Sequence, residues 1–466
     1  MAELRYESQS YWTLNTFTRA HEAPGAGLSE GEAHDGMFDI CAIEFDNEGT
    51  LSHQPVSAPS QLDRAANAIR AARRKAGGAV VVVFAHGWKN NADWDCGNFV
   101  SFRQLIASMS KREIERYSPT GEHLARRVVG VYLGWEGGAD HGTLSDIGHK
   151  LMFNYYKRDG RARKVAQGEG LIGALEQLTE ATKDHEDPKL GPPDNSPLIM
   201  AGHSMGGLIM ETAMAEWVND KAANLPGPRL TPADPSEQPT ITLTIDSQPI
   251  AGPDLMLLIN PASAASDTRN LLNALTERAV TKRVHIEGMT FQPPLIISAT
   301  SEGDSAVGIG LRVARTLAGK PGISAGFAKD MHTHKMTVRE KEADCPRASW
   351  VFDGGSTPDF DQHWHQLSID PDTRTHPNPT MLMALPNNRK VRESHTGYAI
   401  TPNPPHDGPE DRGQSTPLWI FQVPDEVIGD HVDIFNFKAA SMFLAMAQMS
   451  GAVASLNYDW PDLFAT

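Results

Sequence analysis

The chain has 466 residues, with 58 acidic against 42 basic side chains and a formal net charge of −16, a balance that opposes binding to nucleic acid or anionic membrane surfaces. Three cysteines (Cys41, Cys96 and Cys345) are too few and too scattered for a disulfide framework or a cysteine-based zinc site. Met1 to Glu7 lacks a basic region followed by an apolar one, and the longest apolar run, Ala79 to Ala85, is far short of a membrane span; the expected protein is soluble and cytoplasmic, with export by a route needing no cleaved signal left open.

Residues 1–36 are polar and glycine-rich without sustained period, and read as an irregular lead-in to one domain over 37–466. Met37 to Phe45 alternates as a strand. Gln61 to Lys75 then places Leu62, Ala65, Ile69 and Ala72 on one helical stripe, with the basic cluster Arg70 to Lys75 read as its solvated face. Val80 to Phe84 is apolar throughout, as a strand buried on both faces is, and leads into Ala85-His86-Gly87-Trp88. Phe99 to Ile114 has helical spacing, and Val128 to Leu133 is a further buried strand.

From about 134 to 168 the chain is glycine-containing and aromatic (Leu151, Met152, Phe153, Tyr155, Tyr156) and fits no core element, so it is a candidate lid. Leu171 to Thr182 reads as a helix. Pro197 to Ala201 is another buried strand, followed at once by Gly202-His203-Ser204-Met205-Gly206-Gly207 and a helical pattern through Leu208, Ile209, Ala213, Met214 and Trp217. Residues 219–253 are proline-rich and irregular, with a candidate hairpin at Thr240 to Ile245. Leu255 to Pro261 and Pro294 to Ala299 hold two more buried strands, separated by a helix around Thr268 to Ala279. A second polar, His- and Pro-rich insertion spans about 308–416; the last strand, Leu418 to Val423, precedes a loop and a helix over Phe437 to Met449. This alternation predicts an α/β fold: a mostly parallel central sheet with helices on both faces, carrying insertions.

The strand, Gly-x-Ser-x-Gly turn and helix around Ser204 form the context of a nucleophile elbow, which makes Ser204 the candidate nucleophile. In such a sheet the loops at the carboxyl ends of the strands build the site. Those loops carry His86-Gly87-Trp88, Ser204, the Ser301-Glu302-Gly303-Asp304 turn and His431, in the order nucleophile, acid, histidine. Glu302 is an alternative acid to Asp304, and Asp304 has a plain alternative as a helix cap. His86 and His203 flank the turn as loop supports or as proton carriers. His395 and His406 precede the last strand and reach the site only if the insertion folds back. A metal reading rests on His332-Thr333-His334 and on His363-Trp364-His365, the latter after Asp359 and Asp361, since a His-x-His spacing on a strand puts both rings on one face.

In Phe84 to Trp88, Gly202 to Gly207, the loop holding Asp304, and Gly429-Asp430-His431, the chain resembles the serine esterases and lipases of the α/β-hydrolase superfamily. The resemblance spans roughly residues 38 to 450. It implies that Ser204 attacks an acyl carbon, that His431 takes and returns the proton, and that Asp304 orients the imidazole. It also implies an oxyanion hole from the backbone N–H groups of Met205 and Trp88, and a small-molecule or lipid ester substrate, without metal or other cofactor. An acyltransferase with the same triad and a hydrolase-like binding module without turnover are the rival readings.

Overall fold

The computed structural model describes residues 17–18, 38–52, 59–76, 78–88, 90–93, 96–117, 125–135, 158–184, 189, 196–223, 242–245, 248–249 and 252–263. Beyond these it describes 267–268, 270–271, 274–275, 281–286, 289–291, 295–301, 303–304, 364–369, 381–383, 398–402, 418–423, 425, 427–436, 439–440, 442–443 and 446–447. The chain divides into two compact units, one of residues 1–216 and 251–254, the other of residues 217–250 and 255–466.

The first unit is built on a parallel sheet of β1 (Phe17–Thr18), β2 (Asp39–Phe45), β3 (Ala79–Ala85), β4 (Arg127–Trp135) and β5 (Leu198–His203), in the order β1-β2-β4-β3-β5. Helices α1 (Gln61–Ala76), α2 (Gly97–Tyr117), α3 (158–167) and α4 (Glu169–Lys183) lie between the strands, and α5 (Met205–Ala223) follows β5. Every residue of β3, β4 and β5 is buried, which is why these strands are apolar runs and not alternations. Phe84 and Tyr132 pack on Phe102 and Phe99 of α2, while Val129, Val131 and Leu133, which point to the opposite face, are equally buried. Both faces of this sheet are therefore covered.

Helix α1 begins with a reciprocal cap. Ser60 Oγ accepts the Asp63 N–H at 3.0 Å, and the Asp63 carboxylate accepts the Ser60 N–H at 3.1 Å and its hydroxyl at 2.7 Å, which holds the carboxyl below its ordinary range. The basic cluster at the other end departs from the solvated face expected of it. Arg73 is fully buried and donates to the carbonyls of Ala181 (3.0 Å) and Asp184 (2.8 Å), because the last turn of α4 leaves acceptors that a cation satisfies well. Arg74 keeps the exposed position that the stripe predicts, and Arg70 is half-buried.

The candidate lid region divides as well. Strand β4 runs on to Trp135, and α3 buries Ala162, Val165 and Ala166, so the end of the segment is core helix; the aromatic residues 151–156 lie outside the described residues.

In the second unit, β8 (Leu255–Ile259), β11 (Ile296–Ser301) and β15 (Leu418–Val423) are parallel neighbours in the order β8-β11-β15. The sheet continues through β12 (Trp364–Ile369), parallel to β15, then β14 (Tyr398–Pro402), antiparallel to β12, and β13 (Met381–Met383). The 308–416 insertion thus adds strands to the sheet. A separate antiparallel sheet, order β10-β9-β6-β7, joins β6 (Thr242–Ile245), β7 (Gln248–Pro249), β9 (Thr281–Ile286) and β10 (Met289–Phe291). The region read as irregular therefore supplies a hairpin, though it runs from 242 to 249, and its partners at 281–291 show no strong apolar alternation in the sequence. Among the described residues no helix is long and apolar enough to cross a membrane.

Candidate active site

In the first unit, β5 ends at His203 and α5 begins at Met205, so the direction of the chain reverses at the single residue Ser204. Ser204 pays for that reversal with a backbone φ of 55°, a left-handed conformation that costs a non-glycine residue about 1–3 kcal/mol. The flanking glycines are required by close approach. A Cβ on Gly202 would lie 2.6 Å from the Gly206 carbonyl carbon, and one on Gly206 would lie 2.6 Å from the Ala85 carbonyl carbon and from the His86 oxygen. The apolar helix α5 is buried at every residue from Met205 to Glu211, which anchors the turn from behind.

Strands β3 and β5 pair with Ala85 opposite Gly202, so the His86-Gly87-Trp88 loop leaves the sheet beside the serine turn. A Cβ built on Gly87 would stand 2.9 Å from Ser204 Cβ, a measure of how closely the two loops pass. Asn90 donates from Nδ2 to the carbonyls of Gly87 (3.4 Å) and Trp88 (3.3 Å), and the Arg158 guanidinium lies 5.2 Å from the centre of the half-buried Trp88 ring, a cation–π contact.

His86 is a support of this loop and not a proton carrier. Its ring is wholly buried between Tyr132 and Trp135, with centroids at 5.4 and 5.6 Å. Nε2 accepts the Trp135 N–H at 3.1 Å, which leaves the proton on Nδ1, where it is donated to the Gly87 carbonyl at 2.8 Å. Trp135 Nε1 donates in turn to the His86 carbonyl at 2.8 Å. Burial lowers the His86 pKa to about 4, against the raising effect of its two backbone hydrogen bonds.

Between about pH 6.5 and pH 4 the unfolded chain takes up a proton on this residue that the folded chain refuses, so its contribution is intact above 6.5 and lost as pH falls through that window. The loss amounts to roughly 3 kcal/mol on the 1.36 kcal/mol per unit conversion. Denaturant midpoints at pH 7.5 and pH 4.5 should therefore fall further for wild type than for His86→Gln. Equal falls in the two proteins would refute the assignment.

In the second unit, β8, β11 and β15 end together, with Ile259 opposite Ala299 and Ser301 opposite Val423, so the loops that follow emerge at one carboxyl edge. Two of the expected residues meet there. The Asp304 carboxylate is buried, 1% exposed, and lies 2.9 Å from His431 Nδ1, whose side chain is 19% exposed. The His431 loop is closed by its own polar residues: Asp430 Oδ1 accepts the N–H groups of Val432 (2.8 Å) and Asp433 (2.9 Å), and Asn436 Nδ2 donates to the Val427 carbonyl at 2.8 Å. Asn260, which sequence reasoning passed over, donates to the carbonyls of Asp430 and His431; a polar residue directly after a buried strand and before Pro261 was the signal available.

Glu302, His332, His334, His363, His395, His406, Asp359 and Asp361 lie outside the described residues, and His365 is placed by the backbone of β12. Met205 is the buried first residue of α5, and His203 is buried at the end of β5. Among the described residues no three His, Cys, Asp or Glu side chains gather as a metal-binding group. Comparison of the chain with known protein families, with curated proteins and with solved structures found no match.

Proposed function

We propose that the protein is a serine hydrolase of α/β-hydrolase type that cleaves a carboxylic ester through an acyl-enzyme. The observation that carries this reading is Ser204 held at φ 55° between a buried strand and the first turn of α5, the strained strand-to-helix turn that a nucleophile elbow requires. Support comes from the buried Asp304 beside His431 Nδ1, an arrangement that leaves Nε2 as the basic nitrogen of the ring.

In this reading Ser204 Oγ attacks the acyl carbon while its proton passes to His431 Nε2. The oxygen that becomes negative is stabilised by the backbone N–H groups of Met205, at the positive end of α5, and Trp88, in the loop braced by His86 and Asn90. Collapse of the tetrahedral intermediate expels the alcohol, which takes the proton back from His431, and water then repeats the sequence on the acyl-serine. Asp304 keeps the proton of the neutral imidazole on Nδ1 and stabilises the cation as it forms.

A fluorophosphonate probe tests the nucleophile directly. Wild-type protein should be labelled stoichiometrically and Ser204→Ala should not. A folded wild type that resists labelling would sink the proposal in favour of a binding module, whereas a wild type that takes the label and, in its unlabelled form, transfers acyl groups to added alcohols faster than to water would redirect it to an acyltransferase.

A further inference from the structure

Asn260 in the second unit has no part in the chemistry above, yet it is buried and held in a left-handed conformation. It follows the last residue of β8, keeps a ladder hydrogen bond from its N–H to the Ala299 carbonyl (2.8 Å), and has a φ of 43°. Asparagine is among the few non-glycine residues that occupy this region readily.

Its side chain is used at both ends. Oδ1 accepts the Ser301 N–H at 2.8 Å, while Nδ2 donates to the main-chain carbonyls of Asp430 (3.4 Å) and His431 (3.3 Å). Ser301 adds a second tie, its hydroxyl donating to the Ile428 carbonyl at 2.6 Å and accepting the Gly303 N–H at 3.1 Å. The Asp304 N–H in turn donates to the Ser301 carbonyl at 3.3 Å. The chain segment that carries the carboxylate and the one that carries the imidazole are thus tied to the same amide.

We infer that Asn260 is a positioning residue: it holds the backbone of His431 in register with the end of β11, so that the ring stays on Asp304. This inference rests on the reading of His431 as the base. An amide suits the task because it offers an acceptor and a donor from one planar group without charge. An aspartate would keep the acceptor for Ser301 but turn a carboxylate oxygen towards two carbonyl oxygens. Glycine would adopt the backbone angle without strain and lose the bridge, which separates the two possible reasons for asparagine at this position.

Asn260→Gly is therefore the informative variant, with two readouts. One is the downfield proton resonance of His431 Nδ1–H in its hydrogen bond to Asp304, assigned by its absence in His431→Ala; the other is turnover of a chromogenic aryl ester. In Asn260→Gly the resonance should vanish into exchange with water, and kcat should fall about tenfold to a hundredfold with KM little changed, the scale expected when a reacting group is displaced by roughly 1 Å. A resonance and kcat like those of wild type would overturn the inference and reduce Asn260 to a residue tolerated for its φ. If the folded wild type hydrolyses no ester, the functional reading fails while the resonance still decides the positioning role. Should Asn260→Gly fail to fold, Asn260→Asp carries the same test: loss of the resonance supports the bridge, and its retention refutes it.

Discussion

Alanine at His431 is expected to lower turnover of an aryl ester by about three orders of magnitude or more, as deletions within a catalytic triad do. The expectation follows from the ring's position on a loop after β15, with Nδ1 fixed 2.9 Å from a buried carboxylate and the side chain still 19% exposed. A residue with a purely structural role at this position would be expected to cost stability more than rate. Here the reverse order is expected. Losing the imidazole removes one partner of Asp304, worth about 1–3 kcal/mol, too little to unfold an ordinary domain. The measurements are kcat and a denaturant midpoint on the same preparation. Turnover near wild type in folded His431→Ala, with collapse in His395→Ala or His406→Ala, would move the base into the 308–416 insertion.

Asp304→Asn should be almost as damaging, with kcat down by roughly ten-thousand-fold and the backbone intact, the effect that this substitution has in a serine protease triad. An amide that donates to Nδ1 forces the imidazole proton onto Nε2, the nitrogen that accepts the nucleophile's proton in the proposed mechanism. The carboxylate is 1% exposed, so water does not readily take over its role. Steady-state kinetics at pH 8 decide the matter. A loss of less than tenfold in folded Asp304→Asn, together with a large loss in Glu302→Gln, would transfer the role of acid to Glu302.

What the sequence made legible follows from burial. Central parallel strands must be apolar on both faces, so Val80 to Phe84, Val128 to Leu133 and Leu255 to Ile259 announce themselves as runs, and β3, β4 and β8 fall on them. The turn at Ser204 was legible because steric demands there admit only glycine at 202 and 206. By contrast, β9 (Thr281–Ile286) mixes Lys282, Arg283 and His285 among its residues, a pattern that sequence periodicity does not distinguish from a polar connection. The partners of Arg73 and Asn260 were illegible for another reason. Each is set by carbonyl groups far away in the chain, at Ala181 and Asp184 for the arginine and at Asp430 and His431 for the asparagine, and main-chain acceptors leave no trace in side-chain pattern.

The crowding around Gly206 also limits how this chain can vary. Most steric defects in a protein interior can be relieved by a second substitution that trims the opposing side chain. At Gly206 the opposing atoms are main-chain oxygen and carbon of Ala85 and His86, and at Gly202 they belong to Gly206 and Gly207, so there is no side chain to trim. A selection for suppressors of Gly206→Ala would have to recover changes that move β3 itself or restore glycine. Neighbouring buried side chains such as Ile199 and Met210 remain open to compensatory exchange.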